Sequence, residues 1–579
     1  MTALAPRNAE RLAALTLAVV LASTPAGAAQ PPEETVTEEL IRLLAERMAL
    51  PREDADRLIR RLREEQSAKA ATLQSTPVAS SFEPPAGAAP QPADPKGRVR
   101  VVYLPETEKQ RIRAAVREDV LQTARNESWA LPGAVPAWVK GIRLDGDLRL
   151  RQEFDFLDPS NGTQFINFQS VNSGLPLNTN PLPGQPLTVP VLNSTEDRQQ
   201  FRVRARIGIT AEVNEWLTAG MRLATGNITN PVSTNQTLGN DFNKVGLVLD
   251  RAWLDFHPDP RFGIRGGRMP NPWQSTELVW DEDLGFDGVS GSYRHDWSAT
   301  LQQSATLGVL AIGNTDFNYP ASSLSKENSR DKWLLGAQTG LQWRLDDRLE
   351  VRGAVGYFDF VDYEGELSQP CYAPNTSVAC DSDISRPGFL QRGNTLFGLR
   401  DLVVLAPTDP TYQYFGLASE FQILDLNLRI DRRLEAGAHL ILDADFAYNL
   451  GYDEGDIEAL VPVNNFGSCP ADDPACTPGF EGGAYAFLVN LSWGVPKIVS
   501  AGQWNVFAGY RRIESDALPD AFTDSDFRLG GTNAKGYHLG MAYGLASDTW
   551  FTARWLSASE VTGAPLSIDV LQLDLNTRF

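Results

Sequence analysis

Arg143, Arg149 and Arg151 share one side of an alternating stretch, and Arg202, Arg204 and Arg206 share one side of the next. Arg265 and Arg268 add positive charge further along, and Asp281, Glu282, Asp283 and Asp287 bring the opposite sign. A guanidinium is a permanent cation with a planar fork of donors, so a ladder of them acts on carboxylates and phosphates through field and hydrogen bonds, without making or breaking bonds. The acidic residues sit in or beside the Pro- and Trp-containing connection Pro270 to Asp283. Arginines on one wall of a water-filled space facing carboxylates on another would align polar solutes in a transverse field and exclude bulky apolar ones. The competing view is that these charges only neutralise each other and stiffen the wall.

Bond-making chemistry has less to stand on. The four histidines, His257, His295, His439 and His538, are scattered over different stretches. No nucleophile elbow, P-loop, zinc-binding helix motif or dinucleotide fingerprint occurs in its required context. A hydrolase built on a membrane barrel would need a nucleophile and a base meeting on the wall, and it stands as the weakest alternative. No catalytic residue, metal site or cofactor is expected. Four cysteines form two local pairs, Cys371 with Cys380 and Cys469 with Cys476, each in a Pro- and Asp-rich stretch. Two loop-closing disulfides in an oxidising compartment are the reading, with metal binding as the alternative.

The elements that position these residues follow from periodicity. Ile142, Leu144, Gly146, Leu148, Leu150, Phe154 and Phe156 alternate with Arg143, Asp145, Asp147, Arg149, Arg151, Glu153 and Asp155. Phe201, Val203, Ala205, Ile207, Ile209, Ala211 and Val213 alternate likewise with Arg202, Arg204, Arg206, Thr210 and Glu212. Period two is the strand period, with one face apolar and the other charged. The same rule predicts about sixteen strands, most near the ~10 residues of a tilted bilayer-spanning strand. They fall at 142–156, 200–213, 216–226, 244–257, 262–268, 284–293, 297–312, 333–345, 349–361, 414–431, 436–450, 483–494, 502–514, 534–545, 548–558 and 566–579. Connections after even-numbered strands are short, as at Pro258 to Arg261 and Asp346 to Arg348, while most after odd-numbered strands are long, as at Val361 to Tyr412. Short turns at one end and long loops at the other are the asymmetry of outer-membrane barrels.

Ahead of the strands the pattern differs. Arg7 and Arg11 precede the apolar run Leu12 to Ala22, and small residues follow at Ala26 to Ala29, which reads as an export signal over 1–29. Residues 30–74 predict amphipathic helices, 75–97 a Pro/Ala-rich linker, 98–135 a further helical segment, and 140–579 the barrel.

With 42% apolar and 22% charged residues and a mean hydropathy of -0.26, the composition resembles that of a soluble protein and offers no mature apolar span for a membrane helix. It does not argue against a barrel, whose strands average lipid-facing and water-facing residues. A net charge of -21 argues against nucleic acid as a partner. A soluble β-sandwich also alternates, but three features favour the membrane: strand length, aromatics near strand ends (Trp216, Trp253, Phe256, Trp343, Tyr357, Phe358, Trp493, Trp504, Trp550 and Trp555) and a final amphipathic strand closed by Phe579. Phe579 reads as an assembly signal.

Several stretches together resemble the putative porin family of Gram-negative outer-membrane proteins. They are the segment from Val99 to Phe156, "LDRAWLDFHP", "GGRMPNPWQSTELVWDEDLGFDGVSGSY" and "DSDFRLGGTNAKGYHLGMAYGLA". The resemblance implies an all-β antiparallel transmembrane barrel with a small helical periplasmic extension. It also implies residence in the outer membrane, insertion by the barrel assembly machinery and a homotrimer. The function expected is passive diffusion of small hydrophilic solutes or ions. A structural anchor is the alternative, its N-terminal helices binding peptidoglycan or a periplasmic partner.

Overall fold

The computed structural model describes residues 141–579 apart from 182–187, 321–323, 325, 327, 468 and 470–476. The expected export signal, linker and N-terminal helical segments lie outside the described residues, as does Cys476.

Alternation of apolar and polar residues produces long extended segments throughout. The first four are β1 (Ile142–Leu157), β2 (Arg198–Asn214), β3 (Leu217–Thr225) and β4 (Leu247–Asp259). Next come β5 (Phe262–Met269), β6 (Phe286–Asp296), β7 (Leu301–Gly313) and β8 (Lys332–Arg344). β9 (Leu349–Val361), β10 (Gln422–Arg433), β11 (His439–Asn449) and β12 (Tyr485–Gly494) follow. The last are β13 (Trp504–Ile513), β14 (Ala534–Ala546), β15 (Thr549–Glu560) and β16 (Ile568–Arg578). Each pairs antiparallel with its neighbours in sequence, and β16 returns to β1 with Asp147 opposite Arg578 and Leu157 opposite Ile568. The result is a closed sixteen-strand barrel with one extra two-residue strand, Gln236–Thr237, on its rim. Closure removes the unpaired sheet edge, which hydrocarbon would not tolerate.

The outward face is apolar. Leu307 is 65% exposed and Leu254 55%, and Leu144, Ile207, Val309, Leu335, Leu341, Val489 and Leu491 are exposed with them on strands around the barrel. An apolar surface continuous over so many strands is unsuited to water and suited to lipid. Trp216, Phe256, Trp343, Tyr357, Trp493 and Trp504 are exposed near strand ends, as an interfacial girdle requires. Phe358 is not among them: it is fully buried on the inward side of β9, packed edge to face on Trp273 and Trp280.

Turns at one end are short, and the other end carries the long loops that organise the interior. Residues 414–421, expected to begin a strand, belong to these loops, and β10 starts at Gln422. Phe415–Leu417 instead pairs with Leu396–Gly398, and Tyr412–Gln413 with Leu177–Asn178. The backbone groups of this segment find partners in neighbouring loops, and Phe397, Leu399, Tyr414 and Phe480 form a small core of their own. Cys371 and Cys380 are joined by a disulfide in the same region.

Candidate functional site

On β1 and β2 the register sets Arg149 opposite Arg204 and Arg151 opposite Arg202. Like charges directly opposite each other repel, so the ladder needs acidic partners. Arg202 Nη1 lies 2.9 Å from Glu153 Oε1, Arg204 Nη2 lies 3.0 Å from Asp147 Oδ1, and Arg206 Nε donates to Asp147 Oδ2 at 2.7 Å. Arg151, 2% exposed, is gripped by Asp574 at 2.8 Å and Asp526 at 2.9 Å, with Glu153 at 3.6 Å. Arg265 pairs with Asp255 and Arg268 with Asp287, each at 2.6 Å. Arg149 donates to Asn235 Oδ1 at 2.6 Å, and neither it nor the exposed Arg143 has an ion pair among the described residues. Asp287 lies on β6 and so belongs to the wall.

Residues 270–285, between β5 and β6, cross the lumen. Gln274 N donates to Gln338 Oε1 on β8 at 2.8 Å, and Gln274 Nε2 donates to Asn427 Oδ1 on β10 at 2.9 Å. Thr276 Oγ1 donates to Asp445 Oδ2 on β11 at 2.5 Å. Glu277 meets Arg511 on β13 at 3.3 Å and Arg554 on β15 at 3.8 Å. Asp283 accepts from Arg206 Nη1 on β2 at 3.0 Å, and from Thr234 N and Oγ1 at 2.9 and 2.7 Å. One segment can reach β2, β8, β10, β11, β13 and β15 only through the inside of the barrel. Trp273 explains how closely it lies against the wall: Gly308 and Gly336 are cross-strand partners, and a Cβ on either would come within 2.7 Å of the indole.

The carboxylates of this segment differ in environment. Burial, with Asp524 and Asp283 nearby, pushes Asp281 up to about 9, against the N–H groups of Asp283 and Ser525, which donate to it at 2.8 and 2.9 Å. Burial also raises Glu282. At Asp283 burial is outweighed by Arg204 and Arg206, which hold the group below the usual carboxylate range.

The sequence reading missed the apolar material inside. Trp280, Phe286, Phe358, Phe360, Phe421 and Phe522 cluster within the lumen. The signal was there: Ala354, Gly356, Phe358 and Phe360 occupy the inward face of β9, where a wetted wall would carry polar residues. Two cavities flank the crossing segment. One, of about 1120 Å³, opens among the long loops, and the other, of about 580 Å³, is lined by Arg251, Thr276, Glu277, Arg429, Asp443 and Arg554. Trp280 lines both.

An apolar exterior, a charged and partly aromatic interior, and a loop across the lumen describe a membrane channel wall. The family model described as "Putative porin" matches residues 34–579. The chain belongs to that family. Porins are barrels of the outer membrane that act as channels, and this porin-family chain is accordingly an outer-membrane barrel. No curated protein matches it in sequence. Solved structures similar to it include the outer-membrane channel DcaP of Acinetobacter baumannii, at 8% identity and TM-score 0.36, covering 78% of this chain and 100% of that one. Pseudomonas putida OprB shows 9% identity and TM-score 0.39, with coverage of 76% and 95%. Salmonella typhi OmpF in complex with daunomycin shows 10% identity and TM-score 0.35, with coverage of 77% and 100%. At these values the likeness adds nothing to what strand pairing already gives.

Proposed function

We propose that the barrel lets small hydrophilic solutes or ions diffuse passively across the outer membrane, with residues 270–285 forming the constriction. The observation that carries this reading is Asp283, which a lumen-crossing segment brings against Arg204 and Arg206 of the wall at 3.8 and 3.0 Å. Fixed charges of opposite sign at a narrow section set a field that a passing solute must satisfy. The eight wall arginines, Arg143, Arg149, Arg151, Arg202, Arg204, Arg206, Arg265 and Arg268, are assigned to this lining together with Asp281, Glu282, Asp283 and Asp287.

Planar-bilayer recording tests it. Replacing Arg202, Arg204 and Arg206 together by Gln should move the reversal potential in a salt gradient toward cation selectivity. Unchanged conductance and unchanged reversal potential would reduce these arginines to struts. The same proposal includes an export signal over 1–29, a helical periplasmic extension, a homotrimer and a role for Phe579 in assembly. The last is supported by Phe579, whose N–H and carbonyl exchange bonds with Gly146 at 3.0 and 2.9 Å across the β1–β16 seam.

A further inference from the structure

The larger cavity carries a charge pattern that its neighbours do not balance. Four cations line it: Arg268, Arg330, Lys332 and Arg386. Arg268 pairs with Asp287 and Arg330 with Glu366. Lys332 and Arg386 have no carboxylate within ion-pair distance among the described residues. Lys332 Nζ donates to the carbonyls of Ile384, Ser385 and Arg386 at 3.3, 3.1 and 2.6 Å. Arg386 donates from Nε to Asn172 O at 3.0 Å and from Nη1 to Asp383 O at 2.7 Å, with its guanidinium 4.4 Å from the Tyr414 ring centre. Glu364 acts on Lys332 only from beyond ion-pair range, and Arg386 repels it.

Carbonyl dipoles satisfy the donors of these groups but carry no net charge. Lys332 is 7% exposed, and a buried cation is ordinarily matched by an anion. The carboxylates that line the same cavity are committed elsewhere: Asp250 to Arg222, Asp383 to Arg400 and Asp287 to Arg268. The remaining one, Asp316, is exposed. The same cavity has an apolar part to its lining, made by Trp280, Leu284, Phe286, Leu310 and Phe522. Arg386 Nη2 makes no hydrogen bond among the described residues and remains available to a solute.

We infer that this vestibule is a binding station for a small organic anion with an apolar body, its acidic group drawn by Arg386 and Lys332 and its body resting on the apolar part of the lining. The inference rests on the channel reading and narrows its solute class. A cavity with an apolar lining and a few convergent polar groups is the usual form of a small-molecule site. A charge-assisted, partly desolvated contact of this kind distinguishes anion from cation strongly.

Full-length protein in planar bilayers tests it, with KCl on both sides and benzoate, acetate or benzylammonium added on the long-loop side. Benzoate should reduce the KCl current at a concentration about tenfold lower than either other probe. Arg386→Gln should abolish that preference and Arg386→Lys should keep most of it, while Arg261→Gln, at the exposed turn after β4, should behave as wild type. Equal potency of benzoate and benzylammonium overturns the anion assignment, and equal potency of benzoate and acetate overturns the role of the apolar lining. These comparisons use the wild-type protein, so they stand even if Arg386→Gln does not fold. Absence of any KCl current would instead defeat the channel reading. Calorimetric titration of benzoate into the detergent-solubilised protein then decides the site by itself, and no binding there overturns it.

Discussion

The wall formed by β1 and β2 and the wall formed by β10 and β11 treat buried charge in opposite ways. On the first, Arg151 is enclosed by Asp574, Asp526 and Glu153, and Arg202, Arg204 and Arg206 each reach a carboxylate. On the second, Asp425 is fully buried with neither carboxylate oxygen hydrogen-bonded, and Asp445 Oδ1 is also without a partner. Both walls face the same crossing segment. The arginine wall therefore pairs most of its buried charge, whereas the aspartate wall encloses a carboxyl group without a hydrogen-bond partner among the described residues. Burial alone does not say whether a charged residue supports or strains a barrel; the count of partners does.

Three experiments press on this difference. The largest effect is expected for Arg151→Met, which removes a hub shared by three carboxylates and leaves Asp574 without a cation among the described residues. Unfolding of the purified barrel in denaturant, followed by heat-modified gel migration, should show a loss of about 3–5 kcal/mol. A loss below ~1 kcal/mol would mean that the arginine wall is no stiffer than an ordinary one. Asp425→Asn should act in the opposite direction. It deletes one of two adjacent buried carboxylates and supplies an N–H donor where Asp445 Oδ1 has none, so the same assay should show a gain of about 1–2 kcal/mol. Destabilisation instead would place an unseen cation or proton donor at that pair.

The smallest effect concerns pH and the segment between the walls. Asp281 has its folded value raised to about 9 from an ordinary carboxylate value of 3.8. Below about pH 4 the group is protonated in both folded and unfolded chains and contributes no pH dependence. As pH climbs toward 9 the unfolded chain releases the proton first, so docking of residues 270–285 weakens steadily, and above 9 the loss is complete. Thermal unfolding followed between pH 5 and 9.5 should show this decline, and Asp281→Asn should flatten it. A wild-type profile as flat as that of the variant would show that the two backbone donors keep Asp281 ionised.

The barrel itself was legible because alternation is a local property. Every strand carries its own record of two faces, and Arg202, Arg204 and Arg206 against Phe201, Val203 and Ala205 is enough to orient β2. Loop asymmetry gave the direction of the chain. The contents of the lumen were far less legible. Alternation reports which side chains share a face but not what meets that face, so Phe358 read as an interfacial ring when Trp273 and Trp280 cover it from inside. The aim of residues 270–285 depends on partners scattered from Arg204 to Arg554 in sequence, and no local window contains that information. The segment 414–421 has strand-like composition, yet its backbone is claimed by loops that are distant in sequence.

Gly308 and Gly336 stand side by side on β7 and β8 and present bare backbone to the indole of Trp273. The seat of the crossing segment is thus shaped by two side chains that do not exist. Any larger residue at either position would act as a shim under the crossing segment, so the position of that loop is set from behind as well as by the partners its own side chains reach.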